Sequence, residues 1–177
     1  MISKLLMSEK VASLTTISTP HRGCKYADVL LKITPDFFWR LLAKVYNGRF
    51  SKSGDVTPDF YTVMHQFTSS YVKEFNENVK NNIDVYYQSY ASVMKNNLSD
   101  TRYLLTYPFI RAIDGKNDGL VPLESAKWGE FREVFKSKKT RGISHTDMTD
   151  LKREDISGFN VEEKYVEMIA DLKNKGY

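Results

Sequence analysis

The chain has 177 residues, a net charge of +4, 41% hydrophobic residues and 27% charged residues, which is ordinary for one globular domain with a real core. Lysine and arginine are spread along the sequence, so no nucleic-acid partner is expected; residues 136–141 (KSKKTR), the densest basic run, are predicted to be a solvated turn. No apolar run approaches the roughly 18 residues of a membrane span, and no secretory signal is recognisable. Localisation is left open.

The first half of the chain predicts one buried strand followed by helices. Residues 11–17 are β-branched and apolar, which indicates a strand buried on both faces. Residues 26–33 predict a helix, and a second helix is expected to begin with Thr34 as its N-cap. Residues 47–59 predict a surface loop. Apolar residues then recur at three- and four-residue steps over residues 60–75, which predicts one long amphipathic helix.

The second half alternates again between strands and helices. Residues 85–90 predict a strand, and residues 110–113 a short extended piece. Residues 128–135 are compatible with either strand or helix. Residues 161–175 predict a helix with a lysine-rich last turn. Strands separated by helices favour an α/β class with a mostly parallel sheet.

Two loops contain residues that could carry chemistry. Asp118 lies in the turn Asn117-Asp118-Gly119, which by itself is typical of a simple β-turn. His145 lies in a predicted loop, where a single histidine is usually a surface residue. Their order within an α/β pattern is that of the last two members of an α/β-hydrolase triad. In such a pair, the carboxylate fixes the histidine tautomer and supports the imidazolium that forms during reaction.

Four segments in chain order resemble bacterial triacylglycerol lipases of the α/β-hydrolase superfamily. They are residues 15–23 (TTISTPHRG), residues 75–76 followed by 85–91 (VYYQSYA), residues 117–121 (NDGLV) and residues 145–147 (HTD). The resemblance implies a single domain over residues 1–177 with a partial α/β-hydrolase fold: a mostly parallel sheet, flanking helices and a helical lid-like insertion at about residues 34–80. It also implies an acylglycerol or other ester lipid as substrate, with action at a lipid interface.

The resemblance assigns roles to individual residues. It makes Asp118 the catalytic acid and His145 the general base. It further implies a structural calcium ion, for which Asp147 fits by position and Asp100 by rough spacing, with Asp150 as a spare candidate. Two simpler interpretations stay open, namely that Asp100 caps a short helix and that Asp147 is a surface turn residue.

Three further residues could be mistaken for site residues. Cys24 is the single cysteine, so no internal disulfide can form, and it is expected to be a small buried residue. His21 is expected to have a structural role in its loop. His65 is expected on the flank of a helix.

A serine nucleophile of this family lies in a Gly-x-Ser-x-Gly turn, and the sequence contains no such pentapeptide. The resemblance places that turn just before the stretch that begins here. We therefore expect the C-terminal portion of a lipase, with the acid and the histidine but without turnover by itself. Two alternatives stay open: a non-catalytic module that binds lipid or a partner, and a chain that assembles with a second one supplying the missing part. The oligomeric state is open.

Overall fold

The computed structural model describes residues 2, 7–138, 140–151 and 156–177. Its centre is a parallel sheet in the order β1 (Ser13–Ile17), β2 (Tyr86–Ser92) and β3 (Glu130–Phe135). The middle strand β2 is buried from Gln88 to its end, as expected for a strand covered on both faces. The predicted α/β class with a parallel sheet is therefore confirmed, and the ambiguous residues 128–135 contain a strand.

Parallel strands need long crossovers, and helices supply them here. Four helices connect β1 to β2, two connect β2 to β3, and the last one follows β3. They are α1 (Lys25–Ile33), α2 (Asp36–Lys52), α3 (Phe60–Gln66), α4 (Ser69–Asn78), α5 (Thr106–Ile113), α6 (Leu123–Ala126) and α7 (Val161–Asn174). Short 3-10 turns occur at Ser8–Lys10, Thr101–Tyr103 and Asp147–Thr149.

The region predicted to resemble a lid is helical, but its boundaries differ from those expected. Thr34 is the C-cap of α1 and does not cap α2, because its backbone N–H donates a hydrogen bond to the carbonyl of Leu30. The helix α2 continues to Lys52, through half of the predicted loop, because the isolated Gly48 is tolerated inside a helix.

The predicted helix over residues 60–75 is two helices, α3 and α4. Thr68 is extended there, and its hydroxyl accepts the N–H of Tyr71 as an N-cap. The carbonyl of Phe67 turns away from the helix and accepts the N–H of Cys24 at 2.8 Å. A threonine cap and a tertiary hydrogen bond thus outweigh the continuous apolar pattern.

Residues 110–113, expected to be extended, belong to α5. Tyr107 and Ile110 stand three residues apart on its buried face, and Ile110 packs against Cys24 and Ala27 at the start of α1. The period of that apolar pattern fits a helix, which a four-residue window could not show.

The core that supports the site joins the sheet to α7. Its buried members are Tyr90, Phe135, Ile143, Met148, Phe159, Val161 and Met168. Two of them, Ile143 and Met148, flank His145, so the histidine loop is held on the main core. Within the described residues, no helix is both long and apolar enough to cross a bilayer.

Candidate active site

The loop after α5 holds Asp118 in a closed turn. Asp118 is fully buried, and its Oδ1 accepts the backbone N–H groups of Leu120 at 3.0 Å and Val121 at 2.7 Å. Gly119 has φ +97°, and a Cβ placed there would lie 2.3 Å from Cγ of Tyr103. The turn therefore requires glycine both for its backbone conformation and for the contact with Tyr103.

The second loop brings His145 onto this carboxylate. The N–H of Ile143 donates to the carbonyl of Val93 at 2.8 Å, and that of His145 to the carbonyl of Asp118 at 2.9 Å. The imidazole Nδ1 lies 2.9 Å from Oδ2 of Asp118. Since an ionised carboxylate only accepts, Nδ1 is the donor, and Nε2 is left as the basic nitrogen. Two residues 27 positions apart in the chain are thus brought within hydrogen-bonding reach.

Burial and charge act in opposite directions on His145, whose side chain is 29% exposed. Burial lowers the pKa of the imidazole because it disfavours the charged form. The hydrogen bond and the negative charge of Asp118 raise that pKa, and the net effect is a pKa above the ordinary 6.5. The pair thus has the chemistry of a histidine base whose protonated form is supported by a carboxylate.

Two buried serines complete the surroundings of Asp118, and neither belongs to a motif recognised in the sequence. Ser92, at the end of β2, donates to Oδ2 of Asp118 at 3.3 Å. Its Oγ lies 3.0 Å from Oγ of Ser18, which follows β1 with φ +47°. A polar residue just after a buried parallel strand is the available signal, because such strand ends meet at one edge of the sheet.

The two residues expected to bind calcium both form hydrogen bonds with the histidine loop. Oδ2 of Asp100 accepts the hydroxyls of Ser144 at 2.9 Å and Thr146 at 2.6 Å. Oδ2 of Asp147 accepts the N–H of Ser144 at 2.7 Å. Asp100 also caps the 3-10 turn through the N–H of Arg102, so the capping interpretation holds, whereas Asp147 is buried and is not a surface turn residue.

The arrangement of these carboxylates does not fit a calcium ion. Both oxygens of Asp147 are bound by the guanidinium of Arg141, at 2.5 and 3.0 Å. Calcium requires six to eight oxygen ligands. In the part of the chain that the structure describes, no group of three or more His, Cys, Asp or Glu side chains could hold a metal. Calcium binding stays a prediction from the sequence.

The remaining residues singled out in the sequence have structural surroundings. Cys24 is buried, as expected, and burial raises the pKa of its thiol to about 12. His21 stacks on Trp128, and its Nε2 lies 2.9 Å from Oγ1 of Thr16; burial, helped by the charge of the neighbouring arginine, lowers the pKa of His21 to about 4. Nδ1 of His65 lies 2.8 Å from the carbonyl of Tyr61 within α3.

The helix α2 presents an apolar stripe to solvent. Phe37, Leu41 and Val45 follow one another at four-residue steps and are 60–71% exposed. Such spacing places them on one face of the helix. Its opposite side is anchored by Trp39 and Ala43, which are buried.

Comparison with known proteins points to lipases. No protein-family model matches the chain. Among solved structures, the chain is similar to the mature lipase BlEst2 of Bacillus licheniformis, with 18% sequence identity and a TM-score of 0.49. The match covers 75% of this chain and 48% of that one, and a similarity this low supports no inference. Among curated proteins, it is similar to Triacylglycerol lipase 2 of Saccharomyces cerevisiae, a yeast protein, so the bacterial origin expected from the sequence stays a prediction. The two are 33% identical over 183 residues, so the chain is related to a triacylglycerol lipase along 94% of its own length and spans about half the length of that relative.

Proposed function

We propose that this chain carries the acid and the base of a serine ester hydrolase acting on acylglycerols or similar ester lipids, within a partial α/β-hydrolase fold. One observation supports the proposal above all others: the buried carboxylate of Asp118 lies 2.9 Å from Nδ1 of His145. The similarity to a yeast triacylglycerol lipase supports the choice of ester lipids as substrates.

In the proposed reaction, a serine hydroxyl attacks the ester carbonyl, and Nε2 of His145 takes the serine proton. The imidazolium then protonates the leaving alcohol, and a water molecule, deprotonated by the same nitrogen, releases the acyl group. Asp118 orients the imidazole through Nδ1 and stabilises its positive charge. The 177 residues contain no Gly-x-Ser-x-Gly turn, so the proposal assigns the nucleophile to a segment outside them.

A chimera tests this proposal. This chain replaces the matching part of yeast Triacylglycerol lipase 2, and the chimera is assayed on a short-chain triacylglycerol after circular dichroism has shown that it is folded. We expect turnover that falls by several orders of magnitude in His145→Ala and Asp118→Asn. A folded chimera whose turnover survives His145→Ala would refute the assigned role. The 177-residue chain alone is expected to give no turnover of a nitrophenyl ester above background.

A second function is supported by the apolar stripe on α2, namely adsorption to a lipid surface without catalysis. Phe37, Leu41 and Val45 would lie in the interface, as on other amphipathic helices that bind membranes. In a lipase the same face would belong to a lid, so the two functions are compatible.

Co-sedimentation with phosphatidylcholine vesicles tests the adsorption. We expect the triple variant Phe37→Ser, Leu41→Ser and Val45→Ser to lose most of its binding. Val166→Ser is the matched control, because Val166 lies on α7 and is 66% exposed, close to the exposure of Val45. Equal losses in the control and in the triple variant would contradict a specific role for α2.

A further inference from the structure

Two aspartates form hydrogen bonds that hold the loop carrying His145. Asp100 accepts the hydroxyls of Ser144 and Thr146, the two neighbours of His145 in sequence. Asp147 accepts the N–H of Ser144 and so closes the loop on itself. Both carboxylates are buried, and the negative charge of Asp147 requires a compensating positive charge.

Arg141 supplies a positive charge next to Asp147. Its guanidinium makes a two-point contact with Asp147, whose side chain is 1% exposed, while Arg141 itself is 24% exposed. The carbonyl of Arg141 accepts the N–H of Lys95 at 3.1 Å and the hydroxyl of Ser99, so the backbone of the arginine is fixed next to Asp100. Paired N–H donors on both oxygens of a carboxylate are the strongest form of an arginine ion pair.

We propose that Arg141 is an internal cation that neutralises the buried Asp147 in the His145 loop and holds that loop in position, in place of a bound metal ion. A calcium ion at Asp147 would have to displace a guanidinium that already binds both of its oxygens. The chain should therefore keep the geometry of this loop without calcium. The inference goes beyond the proposed function, because it concerns how the loop is anchored and does not require turnover.

This role was not visible in the sequence. Residues 136–141 were predicted to be a solvated turn, yet Arg141 points into the protein and binds Asp147. Lys136, Lys138 and Thr140 in the same run are exposed, as predicted. The ion pair joins residues six positions apart, and Gly142, next to Arg141, forms an isolated antiparallel bridge with Met94.

The test uses the 177-residue chain and its thermal unfolding. Wild-type protein in millimolar CaCl2 and in EDTA is expected to have the same melting temperature. Arg141→Gln is expected to lower that temperature by roughly 6 °C or more, because it leaves a buried carboxylate uncompensated. Arg111→Gln, at an exposed arginine on α5, is the matched control and should change it by about 1 °C or less.

Two further measurements separate positioning from general stability. In the double variant Arg141→Gln, Asp147→Asn the uncompensated charge is gone, so its loss should be smaller than the sum of the two single losses. The NMR resonance of the Nδ1 proton of His145 should weaken or shift in Arg141→Gln and stay unchanged in Arg111→Gln. A wild-type melting temperature that rises with calcium, or strictly additive losses in the double variant, would overturn the proposal; so would an unchanged Nδ1 resonance in a folded Arg141→Gln protein.

Discussion

Replacing Asp118 by asparagine tests the buried carboxylate at the centre of the candidate site. Asparagine has nearly the same size, and its carbonyl oxygen can still accept the N–H groups of Leu120 and Val121. Its amide group would face Nδ1 of His145 with a donor, so one charge-assisted hydrogen bond is lost. We expect the free energy of unfolding at pH 8.5 to fall by about 1.5–3 kcal/mol.

The same variant should reverse the direction of the pKa shift of His145. In the wild-type protein Asp118 outweighs burial, and the pKa of His145 lies above 6.5. Without the carboxylate only burial acts, so the pKa should fall below 6.5.

The sign of the pH dependence follows from this reversal. A raised pKa in the folded state adds stability that is fully present below pH 6.5 and is lost as the pH rises through the folded value. In the variant, burial of a histidine that must become charged costs stability at low pH. The gap in unfolding free energy between the two proteins should therefore be larger at pH 5.5 than at pH 8.5, by up to about 1.4 kcal/mol for each unit by which the two pKa values differ.

Urea unfolding at both pH values and NMR titration of the histidine ring protons provide the measurements. His21 is an internal control, because its pKa of about 4 has causes unrelated to Asp118 and should not move. Asp84→Asn, at an exposed aspartate, is the control for stability. An equal gap at pH 5.5 and 8.5, or an unchanged pKa of His145 in Asp118→Asn, would refute the reasoning.

Three other changes can be tested in the same chain. Gly119→Ala should lower the unfolding free energy by about 2–4 kcal/mol, because its Cβ would meet the ring of Tyr103 and its φ is positive. Gly48→Ala, inside α2 with open space around it, should raise the unfolding free energy by about 0.5–1 kcal/mol. Urea unfolding of both variants tests this pair of predictions. Ser92→Ala removes a hydroxyl that donates to the buried carboxylate and should cost about 1.5 kcal/mol by the same assay. The thiol of Cys24, buried and with its pKa raised to about 12, should react with a thiol reagent at pH 8 only after unfolding, and rapid labelling of the native protein would contradict its environment.

Part of the candidate site could be predicted, because short sequence motifs indicate its residues. The turn around Asp118 needs glycine at the next position, and the order of an acid followed by a histidine within an α/β pattern narrows the possibilities to one kind of pair. Neither feature depends on distant contacts. The roles assigned to Asp118 and His145 require the two side chains to meet at the edge of the sheet, and in the structure they lie 2.9 Å apart.

Other parts could not be predicted, because tertiary contacts decide them. The break at Thr68 depends on a hydrogen bond between Phe67 and Cys24, 43 positions apart, against a continuous apolar pattern. The role of Arg141 depends on the conformation of its loop, in which a residue of a basic run binds the buried Asp147. Local periodicity and residue counts carry no information on such contacts.

The protonation of the His145 ring tests the central claim most directly. Asp118 should keep the proton of the neutral imidazole on Nδ1, so that Nε2 has a free lone pair to act as base. Nitrogen-15 NMR of the wild-type chain at a pH above the pKa of His145 distinguishes the two ring nitrogens. We predict a protonated Nδ1 and an unprotonated Nε2; a neutral ring that carries its proton on Nε2 would contradict the account.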